Sequence, residues 1–194
     1  MLIVSSDPDS VETELRAGRL SCPNCAGELG PWSYAGERAL RRGRIEERVR
    51  PRRSRCRSCR RTHVLLPDTT LLRRRDHVEV IGAALEARAR GCGYRLIAGV
   101  LGRSRSTVRN WLACFATLAE QVRVHFSAFA YALDPELQAI EPAGSPVRDA
   151  VGAIGVAVRA AVQRHGPRPP WRLAARLSNG LLLNNAMWHL PRPS

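Results

Sequence analysis

Four of the six cysteines fall into two CxxC pairs, Cys22-Pro-Asn-Cys25 and Cys56-Arg-Ser-Cys59, with 30 residues between them. Each pair can curl so that both sulfurs face one point, and four thiolates meet the tetrahedral demand of Zn²⁺. A closed set of four Cys leaves no position for water, so the expected zinc is structural and no hydrolytic chemistry follows from it. Structural zinc supplies roughly 10 to 16 kcal/mol of apparent binding energy, which becomes folding energy for a module too small and aromatic-poor to fold by burial alone. A redox CxxC is the alternative. That motif normally opens a helix in a βαβ setting, which neither pair has. His63, close behind Cys59, is of the right type to replace a thiolate, but four sulfurs already satisfy the metal. Cys92 and Cys114 read as small buried hydrophobes.

A second constellation spans residues 94–112, whose spacing predicts two helices joined by a tight turn. Ala98 is small where the helices would cross, Gly102 supplies a left-handed turn residue, and Ser104 can cap the second helix. Ile97, Leu101, Val108, Trp111 and Leu112 form the expected buried face. Outward on the second helix remain Arg105, Ser106, Arg109 and Asn110, with Arg103 in the turn, all types that reach phosphates and base edges. A plain αα-hairpin would show no preference for donors outside, yet residues 91–119 contain no carboxylate. The pattern therefore predicts a DNA-binding helix-turn-helix whose second helix reads bases.

The charge points the same way. The net charge is +14, and all 31 basic residues are Arg, which reflects a GC-rich genome more than a functional choice. Residues 38–75 carry 15 Arg against Glu46, Glu47 and Asp68, or +12, leaving 16 minus 14, or +2, for the rest. So concentrated a field attracts polyanions, with nucleic acid ahead of membrane lipid. Arg52, Arg53, Arg55, Arg73, Arg74 and Arg75 are the expected phosphate contacts. They would supply salt-sensitive affinity without sequence information.

The elements that must position these groups give a mainly α fold with a small β zinc ribbon. Residues 1–20 read as a short strand and a helix capped by Asp9 or Ser10 and closed near Gly18. Residues 21–75 form the ribbon with a long Arg-rich hairpin over 32–55. Residues 76–120 form the tri-helical unit, and 121–194 a C-terminal helical region. There Val147, Val151, Ile154, Val158 and Val162 share one face, a stripe suited to burial within the chain or against a second copy. Residues 171–178 form a last piece ending at Asn179-Gly180. No apolar run approaches the ~20 residues of a membrane helix, and the N-terminus lacks a signal-peptide pattern, so a cytoplasmic, nucleoid-associated location is expected.

With these motifs in place, the chain resembles the zinc-ribbon and helix-turn-helix front end of bacterial insertion-sequence transposases, closest to an uncharacterised actinobacterial family of that arrangement. The resemblance rests on the two CxxC pairs, Arg-Arg-Thr-His-Val-Leu-Leu-Pro at 60–67, Asp76-His-Val-Glu-Val-Ile81 and the helix-turn-helix, and covers about residues 20–120. It implies recognition of mobile-element or host DNA through Arg105, Ser106, Arg109 and Asn110. Catalysis departs from that pattern. Transposase chemistry needs separated carboxylates holding two Mg²⁺ ions, whereas beyond residue 120 only Asp134, Glu136, Glu141 and Asp149 occur, within 16 positions. They read as solvated helix surface. No phosphate-cradling loop, HExxH or GxSxG is present, and His125, His165 and His189 stand alone.

The resulting expectation is a non-enzymatic, sequence-directed DNA-binding protein, mobile-element-associated or a transcriptional regulator. Its expected cofactor is zinc and its expected partner duplex DNA, with a homodimer or a separately encoded transposase or integrase as further partners and no small-molecule substrate. An RNA-binding zinc ribbon is one rival, and an accessory protein that recruits a separate transposase is the other.

Overall fold

The computed structural model describes residues 1–184; His189 lies outside them. The chain opens with strand β1 (Leu2–Val4) and helix α1 (Pro8–Arg16). The cap of α1 is Asp7, whose carboxylate accepts from the Ser10 N–H at 3.1 Å; Asp9 and Ser10, expected as caps, lie inside the helix because Pro8 takes its first position. Strand β2 (Leu29–Tyr34) follows the first knuckle, β5 (Arg52–Cys56) leads into the second and β6 (Thr62–Pro67) leaves it; β5 pairs antiparallel with both others, while β1 adds parallel to β6. The lead-in thus completes the ribbon's four-stranded sheet, order β1-β6-β5-β2.

The expected long hairpin over 32–55 divides in two. Its base is β2 against β5, and its outer part is a separate two-stranded sheet of β3 (Arg38–Arg42) and β4 (Ile45–Val49), joined by Gly43-Arg44. Gly43, at φ +59, allows the two-residue turn.

Helices α2 (Val78–Ala89), α3 (Tyr94–Leu101), α4 (Arg105–Leu133), α5 (Pro146–His165) and α6 (Pro170–Leu177) form the second half. Helix α4 has 29 residues, about 43 Å of axis, and runs across the position near 120 where a boundary was expected. Val108, Trp111, Phe115, Leu118, Val122, Phe126 and Ala130 recur along one side of it and are buried with α5. On α5 the deepest positions are Ala150, Ala153, Ala157 and Ala161, with Ile154 and Val158 beside them. Small residues let α5 lie close against the Phe side chains of α4. The expected Val stripe is therefore drawn into the chain's own core, where Val147, Val151 and Val162 pack partly buried.

The two halves interlock. Asn179, in the left-handed conformation after α6, accepts from the Ile3 N–H at 2.9 Å, and the Gly180 carbonyl accepts from Leu72 N–H at 3.0 Å. No helix among the described residues is long and apolar enough to cross a membrane.

Candidate metal centre and arginine face

The two knuckles fold alike. In each, the N–H of the first Cys donates to the carbonyl five residues on, Gly27 or Arg61, and the N–H four residues on returns to its own carbonyl. Ala26 and Arg60, each following the second Cys, take positive φ of 59° and 63° to close these turns. The Asn24 N–H points at Cys22 Sγ and the Cys59 N–H at Cys56 Sγ, both at 3.4 Å.

These turns bring all four sulfurs within 4.8 Å of one another; Cys22 and Cys59 are 3.7 Å apart and Cys25 and Cys56 3.5 Å. None is in a disulfide, and together they could hold a metal ion. The Cys59 N–H brings the Cys56 thiol down to about 6. At Cys59 the Arg61 N–H pulls downward, but burial and the surrounding thiols outweigh it and push the value to about 11. Four sulfurs this close are suited to a cation, whose charge would offset the repulsion between neighbouring thiolates. His63 is buried with Nε2 3.3 Å from Cys22 Sγ, placed to donate to a ligand's sulfur from behind the quartet.

Between α3 and α4 the expected local geometry is present. Gly102 sits at φ +60 and ψ +41, and Ser104 Oγ accepts from the Thr107 N–H at 3.2 Å. Ile97, Ala98, Val108 and Trp111 are buried, with Leu101 and Leu112 partly so. Arg105, Ser106, Arg109 and Asn110 are all exposed on the first turns of α4.

The expected phosphate contacts separate into three groups. Arg73 and Arg75 are exposed in the loop between β6 and α2. Arg52 and Arg74 are occupied inside the protein, as is Arg103 of the helix-turn-helix turn, and these three do not form a free face. Arg103, only 8% exposed, donates from Nε to Asp76 Oδ1 at 2.6 Å and from Nη1 to the Gly43 carbonyl at 2.8 Å. Arg74 donates to the Leu183 carbonyl at 2.8 Å and reaches Cys114 Sγ at 3.6 Å. Arg52 pairs with Glu12 and donates to the Ser33 carbonyl at 2.8 Å. A lone guanidinium at a junction of elements finds carbonyls and carboxylates before it finds solvent. Arg53 is half-buried on β5, and Arg55 lies 4.7 Å over the exposed Trp32 ring.

Sequence reasoning missed the cluster around Asp76 and His77, both 2% exposed. Arg41 and Arg103 take one oxygen each of Asp76, at 2.8 and 2.6 Å, and His77 Nε2 lies 3.2 Å from Glu47 on β4. A single carboxylate directly after three arginines was the available signal. The cluster joins the β3–β4 hairpin, the start of α2 and the turn before α4.

Neither the curated proteins nor the solved structures hold a match to the chain. A family model, described as a domain of unknown function (DUF6431), matches residues 15–111, which run from the end of α1 through the knuckles and the Asp76 cluster to Trp111 on α4. That span is half of the chain, and the chain belongs to this family.

Proposed function

We propose that this is a sequence-directed duplex DNA-binding protein in which a structural zinc ribbon supports a helix-turn-helix made of α3 and α4. One observation carries the reading. The first turns of α4 present Arg105, Ser106, Arg109 and Asn110 to solvent, directly after a left-handed Gly102 and a Ser104 cap, on a stretch without a carboxylate. Arg109 and Asn110 are the side chains suited to guanine and adenine edges in the major groove, and Arg73 and Arg75 supply phosphate contacts.

Zinc is the metal that suits the quartet. A tetrahedron with Zn–S bonds of about 2.3 Å sets its sulfurs about 3.8 Å apart, close to the 3.5 and 3.7 Å seen here. The resemblance to transposase front ends supports a mobile-element setting, and the protein would act by binding rather than catalysis.

A second reading is favoured by the ribbon. Trp32 and Tyr34 are 55% and 52% exposed, with Arg55 over the first ring and Arg50 and Arg52 over the second. Exposed aromatics among arginines suit unstacked bases, as in RNA. Selection of bound duplexes from a random library by the zinc-loaded chain, with a structured-RNA competitor and a chelated control, decides between the two. Enrichment of one DNA motif supports the first reading. Salt-sensitive binding without a motif, displaced by RNA, overturns it.

A further inference from the structure

The Asp76 cluster holds the β3–β4 hairpin against the start of α4, and that attachment has a use beyond stability. We propose that the hairpin is a wing whose tip enters the minor groove next to the duplex segment read by α4, with Arg42 and Arg44 as its donors and Ile45 as an apolar wedge. This inference rests on the duplex-binding reading above.

The tip is fixed in place on both of its strands. On β3, the Arg41 N–H donates to the Arg75 carbonyl at 2.7 Å, the Arg41 carbonyl accepts from the His77 N–H at 3.0 Å, and the Arg41 guanidinium holds Asp76. On β4, Glu47 meets His77. The Gly43 carbonyl in the turn itself accepts from Arg103, the residue immediately before the Ser104 cap. The tip therefore lies one arginine side chain away from the first turn of α4 and is tied to it through Arg103.

Past those anchors the side chains of the tip are open to solvent. Leu40, midway along the ladder, is 1% exposed, whereas Arg42 and Arg44 are exposed and make no side-chain hydrogen bond or ion pair among the described residues. Ile45, across the ladder from Arg42, is 66% exposed. Of the two carboxylates of β4, Glu46 follows Ile45 and faces Arg41 across the ladder, and Glu47 is drawn to His77. Phosphate contact alone would need only charge. Arginines beside an exposed apolar side chain form the combination that reads a narrow minor groove and wedges against its base steps.

Full-length protein and its selected site, with the flank on the hairpin side built from A·T, G·C or inosine·C pairs, provide the test. Inosine·C matches A·T in the minor groove and G·C in the major groove, so the three flanks separate the grooves. The expected result is equal affinity for A·T and inosine·C flanks, roughly tenfold weaker binding to G·C flanks, and loss of that difference in Arg42→Ala/Arg44→Ala with the core motif still preferred. An Ile45→Ser variant should narrow the difference in part. Both substitutions lie on exposed, unpaired positions, and unchanged Tm and zinc content would show intact folding. Flank preference that tracks inosine·C with G·C, or that persists in the double variant, overturns the wing while leaving duplex recognition standing. A chain that selects no DNA motif overturns both.

Discussion

Asp76 and Arg103, 27 positions apart, form an ion pair 2.6 Å long that is almost closed to solvent, their side chains 3% and 8% exposed. Arg41 occupies the other carboxylate oxygen from a more open position. Removing one partner of a buried pair strands the other charge, which costs about 3 to 5 kcal/mol. Asp76→Ala should lose about that much in urea unfolding at pH 7. The double variant Asp76→Ala/Arg103→Met, which strands nothing at α4, should recover a large part. Equal losses in both chains would mean that the pair contributes packing alone.

Metal removal should act first on the ribbon. One zinc per chain is expected by elemental analysis, falling to none in Cys22→Ser or Cys56→Ser and staying at one in Cys92→Ser or Cys114→Ser. Under chelation, hydrogen exchange should quicken over residues 20–67 before it quickens in α4 and α5, whose core contains no ligand.

Two glycines in helices should respond oppositely to alanine. A Cβ on Gly82 of α2 would stand 2.2 Å from the Trp171 ring, which lies against the helix there and donates from Nε1 to Glu86 at 2.7 Å. Overpacking of about 1 to 3 kcal/mol outweighs a propensity gain of about 1 kcal/mol, so Gly82→Ala should lower Tm and shift Trp fluorescence. Gly152 on α5 has nothing within 4 Å of the same position, so Gly152→Ala should gain about 0.5 to 1 kcal/mol.

Acid should weaken the junction between α2 and α6. Burial raises the Glu79 carboxyl, but the His77 ring and the Arg172 guanidinium, whose Nε lies 2.6 Å away, prevail and hold it at about 2 against an ordinary 4.5. The unfolded chain therefore binds more protons between these values. The stabilisation is present above about pH 4.5 and is lost as pH falls toward 2. In Tm against pH, Glu79→Gln should start lower at pH 7 and fall less steeply through that window. Parallel curves for the two chains would sink the linkage, since acid release of metal affects both alike.

The readable parts of this chain are those fixed by a few consecutive residues. CxxC spacing sets both knuckles, Gly102 and Ser104 set the turn and cap before α4, and Asn179-Gly180 ends α6, because each depends on backbone preferences and hydrogen bonds spanning about five positions. Where α4 ends was less legible. A continuous helical period over 105–133 carries no stop signal at 120, and α4 runs through that position as one helix whose buried side packs with α5.

Tertiary structure alone decided which arginines are free. Arg52, Arg74 and Arg103 resemble Arg42, Arg73 and Arg105 in composition and neighbourhood, yet their partners are Glu12, Leu183 and Asp76, 40, 109 and 27 positions away. A guanidinium is long enough to reach whichever carboxylate or carbonyl the fold brings near. Its role is therefore a property of the assembled junction, whereas the four-Cys cluster, built from two local turns, was already legible in the sequence.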